Sequence, residues 1–204
     1  MAASIEAGAT LVYASPLVLS ETENNQLEED VLNGHRWNIM KSVVVRMPQL
    51  YGPGVVNRLW EAIFESAASG EKAHWIGDPA VLRSLLYVND AAGKMVTIGK
   101  SVWAYGRRWS LAGAGPISGA EFMELAYKAA MKTPKYGHWG RGIMITGILG
   151  SDSRKLLEIP YDYYSPFVIN GADFQRAFPS STYKPHVEAI AETYEWFKGR
   201  SGSS

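Results

Sequence analysis

The stretch from residue 43 to residue 54, VVVRMPQLYGPG, constrains the fold more than any other part of the chain. Residues 43–45 form a run of valines that ends at Arg46 and Pro48. Continuous rather than alternating apolar residues are typical of a strand that is buried on both faces of a parallel sheet. The Gly-Pro-Gly sequence of residues 52–54 predicts a loop. Because open α/β sheets bind ligands beyond the carboxyl ends of their strands, we expect a site at this loop.

The composition excludes several classes of protein. Lys plus Arg and Asp plus Glu each number 20, so the charge balance predicts neither a nucleic-acid partner nor a membrane surface. The chain has no cysteine, which excludes disulfides and thiolate chemistry. No apolar run reaches the roughly 20 residues that span a bilayer, and residues 1–9 lack the basic region of a signal peptide. We therefore expect a cytoplasmic protein, with residues 201–204 as a flexible tail.

The first half of the chain alternates helical and strand patterns. The predicted elements are a helix end closing at Gly8, a strand over 10–14, a helix opened by a capping box at 20–23 with Leu27, Val31 and Leu32 inward, and a helix over 57–69. In that last helix, apolar side chains recur on one face, and Gly70 ends it. This face comprises Leu59, Trp60, Ile63, Phe64 and Ala67.

The second half begins in the same alternating way. It predicts strands over 74–76, 85–88 and 108–112, a helix over 91–100 capped by Asn89 and Asp90, and a helix from a capping box at 118–121 to Met131. A closing helix over 185–199 has Pro185 in its first turn. The inward side chains predicted for it are Val187, Ile190, Ala191, Tyr194 and Phe197.

The order of these landmarks resembles a known family. A strand ending in Ser15 and a helix precede the pattern Arg46-x-x-x-x-Tyr51-Gly-Pro-Gly, and a Gly-Asp pair precedes Arg83-x-x-x-Tyr87-Val88-x-Asp90-Ala-Ala. The chain thereby resembles the second, substrate-side half of the NAD-dependent epimerase/dehydratase family, the extended short-chain dehydrogenases/reductases. The resemblance implies an α/β fold: a partial Rossmann-like, mostly parallel sheet with flanking helices and a small C-terminal α+β lobe.

That resemblance also implies a division of the chain. We expect a truncated Rossmann-like core over 1–112 and a substrate-type lobe over 113–200, with the closing helix packed on the core. The missing half would leave one sheet edge uncovered, so we expect a homo-oligomer or a partner chain across that edge.

Two departures from the family pattern bear on chemistry. The Gly-x-x-Gly-x-x-Gly turn that holds the family's dinucleotide is not found ahead of the strand at 10–14. A similar Gly-x-x-Gly-x-x-Ser pattern at 147–153 lacks the acidic residue that should follow. Glu21 and Asn25 stand where the family has its Tyr-x-x-x-Lys pair, and Ser15 alone remains of the catalytic residues. NAD(P) is the family's cofactor, but we expect none to be bound by this chain alone, and hydride transfer is therefore not expected.

The same resemblance indicates a ligand site. It implies that Pro48, Gln49, Tyr51 and Arg83 contact a small phosphorylated or nucleotide-sugar-like ligand, with Arg83 at a phosphate. The alternative for Arg83 is an ion pair with Asp78 or Asp90. Arg46, at a strand end, is predicted to be a structural ion-pair partner.

Other candidates are weaker. The four histidines lack the spacing of metal ligands, so no metal site is predicted, and His186 is expected to be exposed. Five tryptophans are expected to lie in cores, namely residues 60, 75, 103, 109 and 196. Four aromatic residues near two prolines predict either a lid or partner surface, or a small core under a long loop. They are Tyr161, Tyr163, Tyr164 and Phe167.

Whether the chain is an enzyme remains open at this point. The leading hypothesis is a truncated relative of sugar epimerases/dehydratases that binds ligand without transferring hydride. One alternative is a structural or regulatory pseudoenzyme that works through an oligomer or partner. Another is a cofactor-free acid/base isomerase or cyclase that uses Glu21, Tyr13 or Asp78. The chain is also interpreted as either a natural short protein or a truncation of a longer enzyme.

Overall fold

The computed structural model of the protein describes residues 6–17, 21–139 and 164–201, with the side chains of 21–24 and 201 left out. The described strands are β1 Thr10–Pro16, β2 Lys41–Met47, β3 Gln49–Tyr51, β4 Ala73–Ile76, β5 Leu82–Tyr87, β6 Arg108–Ser110, β7 Pro116–Ser118 and β8 Tyr136–Trp139. The described helices are α1 Glu21–Arg36, α2 Arg58–Ser69, α3 Val88–Lys100, α4 Gly119–Ala129, α5 Ala172–Ala177 and α6 His186–Ser201.

The strands form three small sheets that are mostly parallel. The first has the order β1-β2-β6 with both pairs parallel, and the third pairs β4 with β8, also parallel. The second has the order β3-β5-β7, in which β3 is parallel and β7 antiparallel to β5. Parallel strands joined through helices make an α/β fold of the Rossmann type, which confirms the predicted fold class.

Strand β2 is buried on both faces, as its valine run predicts. Val44 packs under α1 with Val31 and Leu32. On the opposite face, Val43 and Val45 belong to a cluster that also contains Ile98 of α3 and Phe174 of α5, as well as Trp109 of β6. Each face of the valine run is therefore closed by a helix, as expected for a strand buried on both sides.

A second core forms where α2, α4 and α6 pack together beside β3, β4 and β5. Helix α2 contributes the five apolar side chains predicted for its inner face. The Asn57 side chain caps its first turn, and Gly70 ends it with φ of 73°. In α6, Ile190 and Tyr194 are buried as expected, but Val187 is 45% exposed because the first turn lies at the rim of the cluster.

The register of α1 differs from the prediction by one residue. Leu27 is 49% exposed, whereas Glu28 is 1% exposed and faces the sheet with Val31 and Leu32. The apolar pattern alone favours Leu27 because it lies four residues before Val31. Arginines on the sheet below α1 reverse that preference, because they bind a carboxylate at position 28.

The start of α3 also differs from the prediction. The helix begins at Val88, directly after β5, and its N-cap residue Tyr87 makes no side-chain cap bond. Asp90 is therefore not the cap. Its carboxylate accepts the Lys184 backbone N–H at 2.9 Å and lies 3.7 Å from the ammonium of Lys94. The aspartate thus ties α3 to the segment that leads into α6.

The tryptophans follow the prediction with one clear exception. Trp60, Trp75 and Trp109 are buried, and Trp196 is half-buried. Trp103 is 54% exposed and lies against Phe178, with ring centroids 4.7 Å apart. It follows α3 in a short 3₁₀ turn over Val102–Ala104, in which Ala104 is buried and Val102 and Trp103 are exposed.

Several predictions fall outside the described residues. These are most of the helix end over 2–8, the capping box at 20–23, the glycine pattern at 147–153, and the side chains of Tyr161 and Tyr163. The division at residue 112 stays a prediction. Within the described ranges, no helix combines the length and the apolar character needed to cross a membrane.

Candidate ligand site at the Gly-Pro-Gly loop

The Gly-Pro-Gly loop follows β3 and lies against the carboxyl end of β5. Tyr51, the last residue of β3, pairs with Tyr87, the last residue of β5. Gly52 follows with φ of 129°, and a Cβ there would lie 2.7 Å from a methyl carbon of Val88 and 2.9 Å from the Tyr87 ring. Only glycine fits this position, since both the backbone angle and the space exclude a side chain.

The Tyr51 side chain is fully buried and meets a histidine from the closing helix. Its hydroxyl lies 2.8 Å from Nδ1 of His186, and Nε2 of His186 lies 3.0 Å from the Gly115 carbonyl oxygen. That oxygen can only accept, so Nε2 carries the proton and, in the neutral ring, Nδ1 accepts from Tyr51. Burial, reinforced by the carboxylate of Asp90, raises the pKa of Tyr51 far above its ordinary value. The tyrosine is therefore a hydrogen-bond donor at neutral pH.

The exposure predicted for His186 is wrong, because the ring is half-buried with both nitrogens engaged. A buried tyrosine hydroxyl needs a partner, and that requirement is the only sequence indication of this contact. It does not identify the partner, which lies 135 residues away in the chain.

Tyr87 forms a second polar group beside the first. Its hydroxyl donates to Glu192 of α6 at 2.7 Å and accepts from the Asn89 amide at 3.0 Å. Burial, together with the Glu192 contact, raises the pKa of Tyr87 to about 12. The hydrogen bonds from Lys184 and Tyr87 lower the pKa of Glu192. This end of the β3–β5 pair thus presents neutral tyrosines and an ionised, lysine-paired glutamate.

Arg83 lies at the other end of β5, on the same face of the sheet as Gln49. Gln49 pairs with Leu85, so Arg83, two residues earlier, is its diagonal neighbour. The Arg83 side chain is 2% exposed, donates to the Ser165 carbonyl oxygen at 3.3 Å, and lies 5.6 Å from the Phe167 ring centroid. Residues 165–169 thus cover Arg83, since the Ser84 N–H also donates to the Phe167 carbonyl oxygen at 2.7 Å.

The predicted ligand residues therefore lie on or next to one strand pair, but their side chains have different partners. Pro48 is buried between β2 and β3, Gln49 is half-buried, and Tyr51 is bound to His186. Tyr51 lies four residues from Arg83 along the paired strands, which corresponds to about 13 Å at 3.3 Å per residue. Gln49 and Arg83 are the two that the fold brings together.

The two aspartates offered as partners of Arg83 have other hydrogen-bond donors. Asp78 accepts the Ala80 N–H at 2.9 Å in the turn before β5, and Asp90 accepts the Lys184 N–H. The acid/base candidates Tyr13 and Asp78 lie on separate elements, β1 and the β4–β5 turn. Nothing in the described geometry brings them to the Gly-Pro-Gly loop.

Ser15, which the resemblance aligns with a catalytic position, is fully buried at the end of β1. Its hydroxyl donates to Glu28 at 2.6 Å. Arg46 donates to the same carboxylate at 2.9 Å through Nε, and Arg108 does so at 2.8 Å. This confirms the structural ion pair predicted for Arg46. Burial opposes ionisation of Glu28, but the hydrogen bonds from Arg46, Ser15 and Arg108 outweigh it and lower its pKa.

The two residues that the resemblance aligns with cofactor-side positions both make hydrogen bonds within the chain. The Ser15 hydroxyl is engaged by Glu28, and the Asn25 amide oxygen accepts from Arg46 at 3.3 Å. Asn25 cannot supply the positive charge of the family's lysine. Among the residues that the structure describes, no group of three potential ligands is placed to hold a metal ion.

Comparison with known proteins shows the fold. No protein-family model and no curated protein sequence matches the chain. Epimerase Mth375 from Methanothermobacter thermautotrophicus is similar with a TM-score of 0.74 and 14% identity over 95% of this chain and 60% of that one. WbmF from Bordetella bronchiseptica, in complex with NAD+ and UDP, has a TM-score of 0.70 and 13% identity over 95% of this chain and 60% of that one.

A dehydratase shows the same likeness. The dTDP-glucose 4,6-dehydratase from Bacillus anthracis, in complex with NAD, has a TM-score of 0.72 and 15% identity over 98% of this chain and 66% of that one. The chain thus spans about three fifths to two thirds of the length of these structures. TM-scores of 0.70 to 0.74 show a shared Rossmann-like fold, and at identities of 13–15% the ligand and the activity have to be argued from the residues.

Proposed function

We propose that the chain forms the substrate-side part of an epimerase/dehydratase-like fold and binds a small phosphorylated or nucleotide-sugar-like ligand on the β3–β5 face. We also propose that this chain alone neither holds NAD(P) nor transfers hydride. The chain spans only part of the structures it resembles, so an activity of the kind their names describe belongs to the proposal. A cytoplasmic location stays a prediction.

The proximity of Arg83 and Gln49 carries this proposal. A guanidinium that is 2% exposed is costly to bury, and it is rarely placed there without a strong hydrogen-bonding role. Its planar donor fork matches a phosphate, which would take the place of the Ser165 carbonyl oxygen that the guanidinium contacts. The Gln49 amide, diagonal to Arg83 on the same face of the strand pair, adds a donor and an acceptor. The bound UDP of WbmF and the dTDP-sugar named for the dehydratase support nucleotide-sugars as the first ligands to test.

The hydride part of the proposal rests on the cofactor-side residues. Ser15 donates to a buried carboxylate, and Asn25 stands at the position of the family's lysine. We expect NADH and NADPH fluorescence to remain unchanged on titration with the chain. Saturable quenching or energy transfer from the tryptophans would contradict this part and leave the ligand proposal standing.

Calorimetric titration with UDP, UDP-glucose and dTDP-glucose tests the ligand site. We expect Arg83→Lys, which keeps the charge but loses the planar fork, to weaken binding about tenfold or more. Gln49→Ala should weaken it less. The matched control is Arg200→Lys, because Arg200 lies 4.8 Å from the Trp196 ring, on a different part of the chain. Thermal unfolding of each variant checks its fold.

Two results would overturn the ligand proposal. One is the absence of binding heat for all three compounds with the folded wild-type chain. The other is equal affinity of Arg83→Lys and wild type, which would place the ligand away from the β3–β5 face.

The β1 edge favours a second candidate function, that of a structural or regulatory protein acting through an oligomer or partner. Among the described strands, β1 has a hydrogen-bonded neighbour on one side only. An open edge of seven residues invites pairing with another chain. Light scattering on the purified chain distinguishes the two candidate functions, since a stable monomer that binds nucleotide-sugar favours the ligand-binding function alone.

A further inference from the structure

We infer that a second anion site, separate from the β3–β5 face, lies along the outer edge of β6 and takes a compound with a phosphate or diphosphate group. A cavity of about 680 Å³ opens there between the end of α1 and helix α5. Four arginines line it, and Asp173 is the one acidic residue among its described lining side chains. The arginines are Arg36, Arg107, Arg108 and Arg176.

Three elements bring these arginines together. Arg107 lies between a tight turn at Gly106 and β6, which begins at Arg108. Gly106 has φ of 70°, and its N–H donates to the Ser42 carbonyl oxygen. A Cβ at Gly106 would lie 2.5 Å from the His35 ring, so this turn needs glycine. Arg36 comes from the last turn of α1, and Arg176 from the last turn of α5.

The local charge exceeds what the carboxylates neutralise. Three of the four arginines, together with Arg46, share three carboxylates, those of Glu28, Glu29 and Asp173. Arg107 is the fifth positive group. The hydrogen bonds from Arg108 lower the pKa of Glu29, and those from Arg46, Ser15 and Arg108 lower that of Glu28, so both are ionised at neutral pH. Five positive groups against three negative ones leave an excess of two, in a chain whose formal net charge is zero.

Arg107 contributes a positive charge that no described carboxylate pairs with. Among the described side chains it has no acidic partner, and its guanidinium lies 5.9 Å from the Trp109 ring centroid. Its side chain is exposed at the cavity. An exposed guanidinium at the mouth of a concave, arginine-lined cavity is a donor fork available to a phosphate.

The size and charge together define the ligand class. A cavity of this volume lies within the range of about 300–1,000 Å³ that holds small organic ligands. An excess of two positive charges matches a phosphate monoester or a diphosphate group. The cavity is distinct from the β3–β5 site, because Arg108 pairs with Val44, about 13 Å before Pro48 along β2.

Titration calorimetry with inorganic pyrophosphate as the probe tests this inference. The variants are Arg107→Gln and Arg176→Gln, neither of which removes a hydrogen bond from the buried Glu28. We expect saturable binding to the wild-type chain and a loss of about tenfold or more in the double variant. Arg200→Gln is the matched control for the loss of one surface arginine, and Arg83→Lys separates this site from the proposed nucleotide-sugar site. Both are expected to bind pyrophosphate as the wild type does.

Three outcomes would overturn the inference. The first is no saturable heat with pyrophosphate at concentrations up to about 5 mM, well above a millimolar Kd. The second is an equal loss in Arg200→Gln, which would indicate attraction to the surface at large. The third is loss in Arg83→Lys alone, which would assign the binding to the β3–β5 face. Retained nucleotide-sugar binding by the double variant keeps the two proposals separable.

Discussion

Glu28 shows how one side chain organises the edge of a sheet. It is 1% exposed, yet it accepts hydrogen bonds from Ser15, Arg46 and Arg108, which lie on three neighbouring strands. A buried carboxylate is tolerable only with such partners, and removing the charge leaves two partly buried guanidiniums without it. Glu28 therefore links β1, β2 and β6 beneath α1 through its hydrogen bonds.

Replacing Glu28 should reduce stability in a pH-dependent way. Glu28→Gln is expected to lose about 3 kcal/mol of unfolding free energy at pH 7 by urea denaturation. Because the pKa of Glu28 is lower in the folded chain than its ordinary 4.5, its stabilisation is present above pH 4.5 and is lost as the pH falls through the folded value. The difference between wild type and variant should therefore shrink below pH 4.5. A constant difference down to pH 3 would contradict the role of the ionised carboxylate.

The Tyr51–His186 contact makes a separate prediction. Tyr51→Phe keeps the buried ring but leaves Nδ1 of His186 without its donor, so we expect a loss of about 1–2 kcal/mol. Tyr136→Phe is the control, because its hydroxyl bonds Glu124 at an exposed position and should cost less. If urea denaturation gave both variants the same loss of unfolding free energy, the buried Tyr51–His186 contact would contribute no more to stability than the exposed one.

At the scale of elements, the Gly-Pro-Gly loop allows a matched pair of variants. Gly52 and Gly54 both have positive φ, at 129° and 82°, but only Gly52 is crowded, by Val88 and Tyr87. Gly54→Ala should cost about 1 kcal/mol through its backbone angle alone. Gly52→Ala should cost about 2–3 kcal/mol, since it adds a clash with buried side chains. Thermal unfolding of the two variants measures the difference, and equal shifts would contradict the crowding.

The apolar pattern of α1 does not by itself decide which residue lies inward one turn before Val31 and Leu32. Val31 and Leu32 define the apolar face correctly, and either Leu27 or Glu28 extends it by one turn. The choice is made by Arg46 and Arg108 on β2 and β6. Arg46 follows Glu28 by 18 residues and Arg108 follows it by 80, so both lie outside the helix and its periodicity does not reflect their charges.

For the whole molecule, the outer edge of β1 decides the oligomeric state we expect. The Leu17 N–H donates to the Met47 carbonyl oxygen. The backbone N–H and C=O groups of the odd-numbered residues of β1 therefore point toward β2, and those of the even-numbered residues point outward. Ala14→Pro therefore removes an outward N–H without disturbing the β1–β2 ladder. We expect light scattering to show an oligomer for the wild type and a monomer for this variant.

Two results would contradict the edge prediction. A wild-type monomer would show that no second copy covers β1. An oligomer unchanged by Ala14→Pro would place the contact elsewhere. Ala80→Pro serves as a control for the loss of an N–H outside the sheet edge, although it removes the donor to Asp78 and should lower the melting temperature.

The sequence alone determined the α/β class, the doubly buried β2, the full inner face of α2 and the structural role of Arg46. Each follows from local periodicity, turn residues or the place of a charge at a strand end, which nearby residues largely decide. Only the tertiary structure decided the partners of Tyr51 and Tyr87, the burial of Glu28, the neighbourhood of Gln49 and Arg83, and the arginine cavity beside β6. These join residues from distant parts of the chain, because hydrogen bonds and ion pairs depend on spatial separation, which local patterns do not encode.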